Sequence, residues 1–324
     1  MRSCAGHSEG MKLKLAALLL ALTSSLGCAA TSHPTIAAPF GVARGAQSLE
    51  AVIEKPGPFT VETVTSATWE VPLSGLINLD NPRAADLKDR SEPIALFVHV
   101  LHHPTQGTFL IDSGVERAFA AHPDDALIHG VLGSLAHVDQ LKTQTDMASI
   151  VEREGQPVHA VLLTHLHLDH VLGLRDVPNT VPVYVGAGDA EERSFMNLFQ
   201  QGVYNDALAG KAPLREIHFA PDPDGIFEGL YDVLGDGSLW AIAMPGHTRG
   251  SIAYVARTPK GPVLLTGDAC HTAWGWQHGV EPGTFSEDRA ASADSLARLQ
   301  RLVARHPSID VRLGHQALPA TSVR

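Results

Sequence analysis

The segment Thr164-His165-Leu166-His167-Leu168-Asp169-His170 constrains this chain more than any other part of it. It follows directly on residues 158–163, a short apolar run that reads as a buried strand. Residues two apart on an extended chain point to the same side, so His165 and His167 present their rings together. Asp169 and His170 come where the chain leaves the strand and can turn to form a second cluster. Three imidazoles and a carboxylate within six residues are a donor set suited to zinc. A solvated His-rich loop would not alternate with leucine behind a buried strand. The chain carries 18 histidines in 324 residues, and imidazole is the commonest protein ligand for metals, so composition points the same way.

Strand signals recur on both sides of this motif. Residues 94–101 and 108–111 flank the turn His103-Pro104-Thr105-Gln106-Gly107, which predicts a hairpin. Residues 181–185 form another apolar run, and 239–243 lead into Met244-Pro245-Gly246-His247. Residues 252–256 and 263–265 flank Pro259-Lys260-Gly261, a second hairpin signal, and 309–313 read as a last strand. Between the strands, 190–199 reads as a helix. A clearer helix spans 287–305. Ser286 suits its N-cap, Glu287 and Asp288 suit the first-turn dipole, and Leu296, Leu299 and Val303 repeat at helical spacing before Pro307. Two strand-rich halves with interspersed helices predict an α+β fold, with sheets packed face to face and helices outside.

The N-terminus reads as an export signal over residues 1–28. Lys12 and Lys14 accompany an apolar stretch, 13–22, too short to span a bilayer comfortably, which runs into Ser24-Ser25-Leu26-Gly27-Cys28. Met11 is an alternative start. Gly27-Cys28 resembles the end of a bacterial lipobox, although Ser25 stands where such sites usually carry leucine. Cleavage with lipidation of Cys28 is expected, with plain cleavage after Ala30 as the rival. The expected destination is the periplasm, either free or as a lipoprotein anchored to the membrane through Cys28. Residues 29–60, rich in Ala, Pro, Gly, Ser and Thr, read as a flexible lead-in to a domain over 61–324. Of Cys4, Cys28 and Cys270, only Cys270 lies in that domain, so no internal disulfide framework is expected. The chain's net charge is −11. Residues 1–27 carry +2 (Arg2, Lys12 and Lys14 against Glu9), so −13 remains without them. Such an acidic surface repels phosphate backbones and argues against nucleic acid as substrate.

His165-x-His167-x-Asp169-His170 resembles the hallmark of the metallo-β-lactamase superfamily. Further elements similar to that family follow its order: Asp112 in Leu110-Ile111-Asp112-Ser113-Gly114, His247 in Pro245-Gly246-His247-Thr248, Asp268 in Thr266-Gly267-Asp268, and His315 in Leu313-Gly314-His315. The resemblance covers roughly residues 90–320 and implies a four-layer αββα sandwich. It also implies two zinc ions, which iron, manganese or cobalt could replace. His165, His167 and His247 would hold the first, Asp169, His170 and His315 the second, and Asp268 would bridge both. The implied reaction is hydrolysis of an ester or lactone carbonyl by a metal-bridging hydroxide, with Asp169 passing a proton to the leaving group.

Within the superfamily, the N-acyl homoserine lactonase branch is the most similar. Val263-Leu264-Leu265-Thr266-Gly267-Asp268-Ala269, then a helix bearing Leu296 and Leu299, then Gly314-His315, match it in content and order. That branch often has tyrosine three residues after the bridging aspartate, contacting the substrate carbonyl. His271 stands there in this chain, and the expectation is that it donates a hydrogen bond to the same carbonyl. Trp274 and Trp276 follow, where aromatic rings could line a pocket mouth or simply pack in the core. Several alternatives stay open. Asp268 counts against a class B β-lactamase, and the lack of a basic cluster counts against a glutathione thioester hydrolase. A non-catalytic periplasmic zinc-binding protein would have no need of a complete ligand set.

Overall fold

The computed structural model describes residues 27–38, 41 and 48–319. Eight strands form one sheet, in the order β2 (Thr35–Ala37), β10 (Leu214–Ile217), β8 (Val183–Gly186), β7 (Val158–Leu162), β5 (Gly107–Ile111), β4 (Ser91–His103), β3 (Thr60–Pro72) and β6 (Lys142–Thr143). Five more form a second sheet, β11 (Leu230–Asp232), β12 (Leu239–Ala243), β13 (Ile252–Thr258), β14 (Gly261–Leu265) and β15 (Asp310–Arg312), in chain order. A short pair, β1 (Cys28–Ala29) with β9 (Arg193–Ser194), stands apart from both.

Side-chain alternation along these strands explains why the sheets stack. Side chains of a strand point alternately to its two faces. In the large sheet, Phe109, Ile111, Ala160 and Leu162 share one buried cluster with Leu239, Ala241, Ile252, Tyr254, Ala256 and Leu265 of the small sheet. Their neighbours Leu110 and Val161 face the other way. They pack with Met147 and Ile150 of the Met147–Glu154 helix and with Val203 and Tyr204 of the Asn197–Ala207 helix. Trp240, Ile242, Val255 and Leu264 cover the far side of the small sheet, against Leu299 and Leu302 of the Arg289–Arg305 helix. The result is helix, sheet, sheet, helix: the αββα sandwich of the metallo-β-lactamase fold.

Strand direction brings the functional ends together. β5, β7 and β8 are mutually parallel. β12 and β14 are both antiparallel to β13, and β15 is parallel to β14, so β12, β14 and β15 run the same way. Asp112 follows β5, the histidine motif follows β7, and His247, Asp268 and His315 follow β12, β14 and β15.

Several expectations change. The described part of the 29–60 lead-in is not loose. β2 extends the large sheet beside β10, and Leu49, Ile53 and Phe59 are buried in the core. Its small residues hid pairing partners that lie more than 150 positions away. The helix expected at 190–199 is displaced, since that stretch holds β9 and the helix runs over Asn197–Ala207. The last helix is capped by Asp288, whose carboxylate accepts from the Ala290 and Ala291 N–H groups, and not by Ser286. The signal region up to residue 26 lies outside the described residues. Cys28 is described, half-buried and paired with Ser194.

Candidate metal centre

The centre is built outward from Asp112. At the end of β5 this buried residue takes a left-handed backbone, φ 60°, a conformation that aspartate tolerates better than most residues. Its carboxylate accepts from Thr164 N at 2.7 Å, from Thr164 Oγ1 at 2.9 Å and from His170 Nδ1 at 2.9 Å. The link ties the end of β5 to the motif after β7. It also fixes Nδ1 as the donor to Asp112, so that Nε2 is the atom that faces forward.

The same device recurs. His315 Nδ1 donates to the Ala95 carbonyl at 3.0 Å, and His271 Nδ1 donates to the Leu76 carbonyl at 3.0 Å. A carbonyl oxygen can only accept, so in each ring Nε2 is the atom left to face inward. His247 Nδ1 lies 3.2 Å from Ser286 Oγ, which orients that ring as well.

The inward atoms gather in two lobes around Asp268. In the first, His247 Nε2 lies 3.1 Å from His165 Nε2 and 2.8 Å from His167 Nδ1. In the second, His315 Nε2 lies 3.2 Å from Asp169 Oδ2, and His170 Nε2 lies 3.5 Å from the same oxygen. Asp268 Oδ2 sits between them, 3.4 Å from His247 Nε2, 3.4 Å from His170 Nε2 and 3.2 Å from His315 Nε2. All seven expected donors are therefore brought together. A side chain at Gly314 would collide with Asp268 Oδ1 and with the Gly267 backbone, which is why glycine precedes His315.

Charge differs between the lobes. Burial holds the His165 and His247 rings well below the usual histidine range, and takes His167 down to about 4. In the second lobe burial acts the same way on His170 and His315, but the carboxylates outweigh it. Asp169, Asp112 and Asp268 raise His170 well above its ordinary value, and Asp268 and Asp169 hold His315 up at about 10. Burial pushes the Asp169 and Asp268 carboxyls up, and the neighbouring histidines more than reverse it, keeping both ionised.

The donor chemistry fits a metal. His170 Nε2 and Asp268 Oδ1 are buried without a hydrogen-bond partner, a costly state that a cation among these atoms relieves. The grouping His165, His167 and His247, and the grouping Asp169, His170, Asp268 and His315, each keep their donor atoms within 4.8 Å of one another.

Asp189 escaped the sequence reading. It is buried, and accepts from Leu166 N at 2.7 Å and from Gly250 N at 3.3 Å, tying the motif loop to the loop after His247. A lone aspartate in a loop gives no periodic signal. Trp274 and Trp276 turn out to be packing residues. Trp274 stacks on His278, with ring centroids 4.1 Å apart, and Trp276 lies against the outer core of the small sheet.

The metallo-β-lactamase superfamily profile matches residues 96–313, which take in every donor named above except His315, two residues beyond its end. The chain belongs to the metallo-β-lactamase superfamily. It is a metal-dependent hydrolase of that superfamily, similar to N-acyl homoserine lactonases. The N-acyl homoserine lactonase AttM of Rhizobium johnstonii is 27% identical over 230 residues, 67% of this chain and 80% of that protein. The gamma-lactamase MBL2 of Gibberella moniliformis is 32% identical over 173 residues, 50% of this chain and 70% of that protein. A crystal structure of a quorum-quenching N-acyl homoserine lactone lactonase superposes with a TM-score of 0.59. Sequence identity there is 18%, with 84% of this chain and 97% of that one covered.

Proposed function

We propose that this chain is a dinuclear zinc hydrolase that opens a lactone or simple ester. The observation that carries the reading is the convergence of seven donors on two lobes that share Asp268, with His170 Nε2 and Asp268 Oδ1 left unpaired. His165, His167 and His247 would hold one ion, Asp169, His170 and His315 the other, and Asp268 both. Ions held this way bring the pKa of water toward neutrality and polarise a carbonyl.

The protein's own groups do the rest. Asp112, Ala95 and Ser286 fix the His170, His315 and His247 rings, so no reorganisation is needed when substrate arrives. Asp169 is the most exposed donor of the second lobe and is kept ionised by His170 and His315. It takes up the proton released from water and returns it to the departing alcohol oxygen. The acidic chain favours neutral or weakly polar substrates over polyanions. The names of the lactonase relatives support a lactone ring. The gamma-lactamase relative supports a second reading, a cyclic amide, which the same groups would open with nitrogen as leaving atom.

The test is to offer N-acyl homoserine lactones, simple γ-lactones, γ-lactams and β-lactams to purified protein, with and without chelator. The expected result is chelator-sensitive lactone opening with one proton released per turnover. Inert lactones beside good turnover of a lactam would reassign the substrate.

The N-terminal pattern supports export and anchorage through Cys28. Mass spectrometry of the mature N-terminus checks it. A chain beginning with a lipidated Cys28 is expected, and an intact Met1 or Met11 contradicts export.

A further inference from the structure

His271 lies outside the seven donors, yet it is oriented as they are. Its ring is buried, at 1% exposure. Nδ1 donates to the Leu76 carbonyl, so Nε2 faces Asp268 Oδ2 at 3.0 Å. That separation is like those between accepted donors, such as 3.2 Å for His315 to Asp268 and 3.1 Å for His165 to His247. His271 Nε2, Asp268 and His247 together keep their donor atoms within 4.8 Å. The His271 ring centroid is 5.0 Å from that of His247 and 5.4 Å from that of His315.

At 3.0 Å an imidazole nitrogen and a carboxylate oxygen hold either a shared proton or a shared cation between them, and the site is too buried for water to separate them. A metal ion beside both atoms takes that proton's place and is coordinated by both. A ring meant to donate to a substrate carbonyl would need Nε2 to carry a proton and to point into open space. Here Nε2 is aimed at the oxygen the two lobes share.

The geometry points to His271 as an additional ligand of the ion held by His165, His167 and His247. This rests on the dinuclear reading above. It makes the two ions unequal. The first has five protein donors (His165, His167, His247, Asp268 and His271), and the second has four (Asp169, His170, Asp268 and His315). A soft-to-borderline divalent ion such as zinc or cobalt suits the nitrogen-rich first set.

The test loads wild type, His271→Ala and His271→Gln with cobalt(II). It reads visible absorption, together with cobalt retention against a graded chelator. Gln keeps the size and hydrogen-bonding capacity of the position but offers no imidazole, so it controls for lost packing in the Ala variant. The expected result is that both variants bind one of their two ions at least tenfold more weakly. Their d–d bands should also intensify, as one ion drops from five donors to four. The assignment is overturned if both variants keep the wild-type spectrum and retention, whether or not lactone turnover falls. A fall in turnover alone would give His271 back to the substrate carbonyl. Wild type that holds no cobalt would overturn the dinuclear reading and this one with it. Wild type holding two ions, beside unchanged variants, would remove only this one.

Discussion

The two lobes of the centre are made from similar residues and behave in opposite ways. The first is imidazole alone. Burial keeps His165, His167 and His247 neutral, and their lone pairs face one another at 2.8 and 3.1 Å. The second mixes His170 and His315 with Asp169 and Asp268, and its carboxylates draw positive charge inward. The difference teaches that one lobe waits for a cation because its lone pairs have nothing else to face. The other already attracts charge, and protons compete for it. Asp268 belongs to both and couples them.

The largest effect should come from cutting that coupling. Asp268→Ala should lose metal from both lobes. Lactone opening should fall by roughly a thousandfold or more, given that Lewis-acid stabilisation supplies several kcal/mol. Retention of one full metal equivalent in this variant, read by elemental analysis, would show that the lobes are independent.

Asp112→Ala attacks one lobe through its support. It frees the His170 ring and reaches the first lobe only indirectly, through Thr164, whose Oγ1 lies 3.1 Å from His165 Nδ1. Metal affinity at the second lobe should fall about 10- to 100-fold, the usual cost of removing a ligand's hydrogen-bond partner, while the first lobe loses less. Chelator competition resolves the two steps. Equal weakening of both would break the comparison.

Protonation gives a smaller and more specific signal. His170 and His315 are raised above the ordinary histidine value, so both carry a second ring proton at pH 7 before metal binds. His167, at about 4, is neutral there and keeps a single ring proton. Loading the second lobe at pH 7 should therefore release protons, and loading the first should release none. Affinity at the second lobe should fall as pH is lowered, since more proton must be displaced. A pH-stat record of stepwise metal addition checks this, and equal proton release in both steps contradicts it.

What was legible in the sequence follows the same division between local and distant. The His165–His170 motif is local, and His247, Asp268 and His315 each follow a readable strand with a glycine at the turn, so the donors could be named in advance. β3 gave no clean alternation, because Val64 and Trp69, five residues apart, reach the same core only through the bulge between Thr65 and Ala67. Other features could not be read. The stretch 190–199 holds Phe195, Met196 and Phe199, which prove exposed, while the true helix buries Val203 and Tyr204 further on. The β2–β10 pairing and the role of Asp189 depend on contacts between segments far apart in the chain. His271 was visible as a residue, but its partners Leu76 and Asp268 come together only in three dimensions.

The most direct test of the account is a titration. Chelator-stripped protein is given zinc in small steps while lactone opening is followed by proton release in a pH-stat. Activity is predicted to rise and to level off at two equivalents per chain. A protein that stays inert at every stoichiometry, or that reaches full rate with one equivalent and ignores the second, contradicts the dinuclear centre.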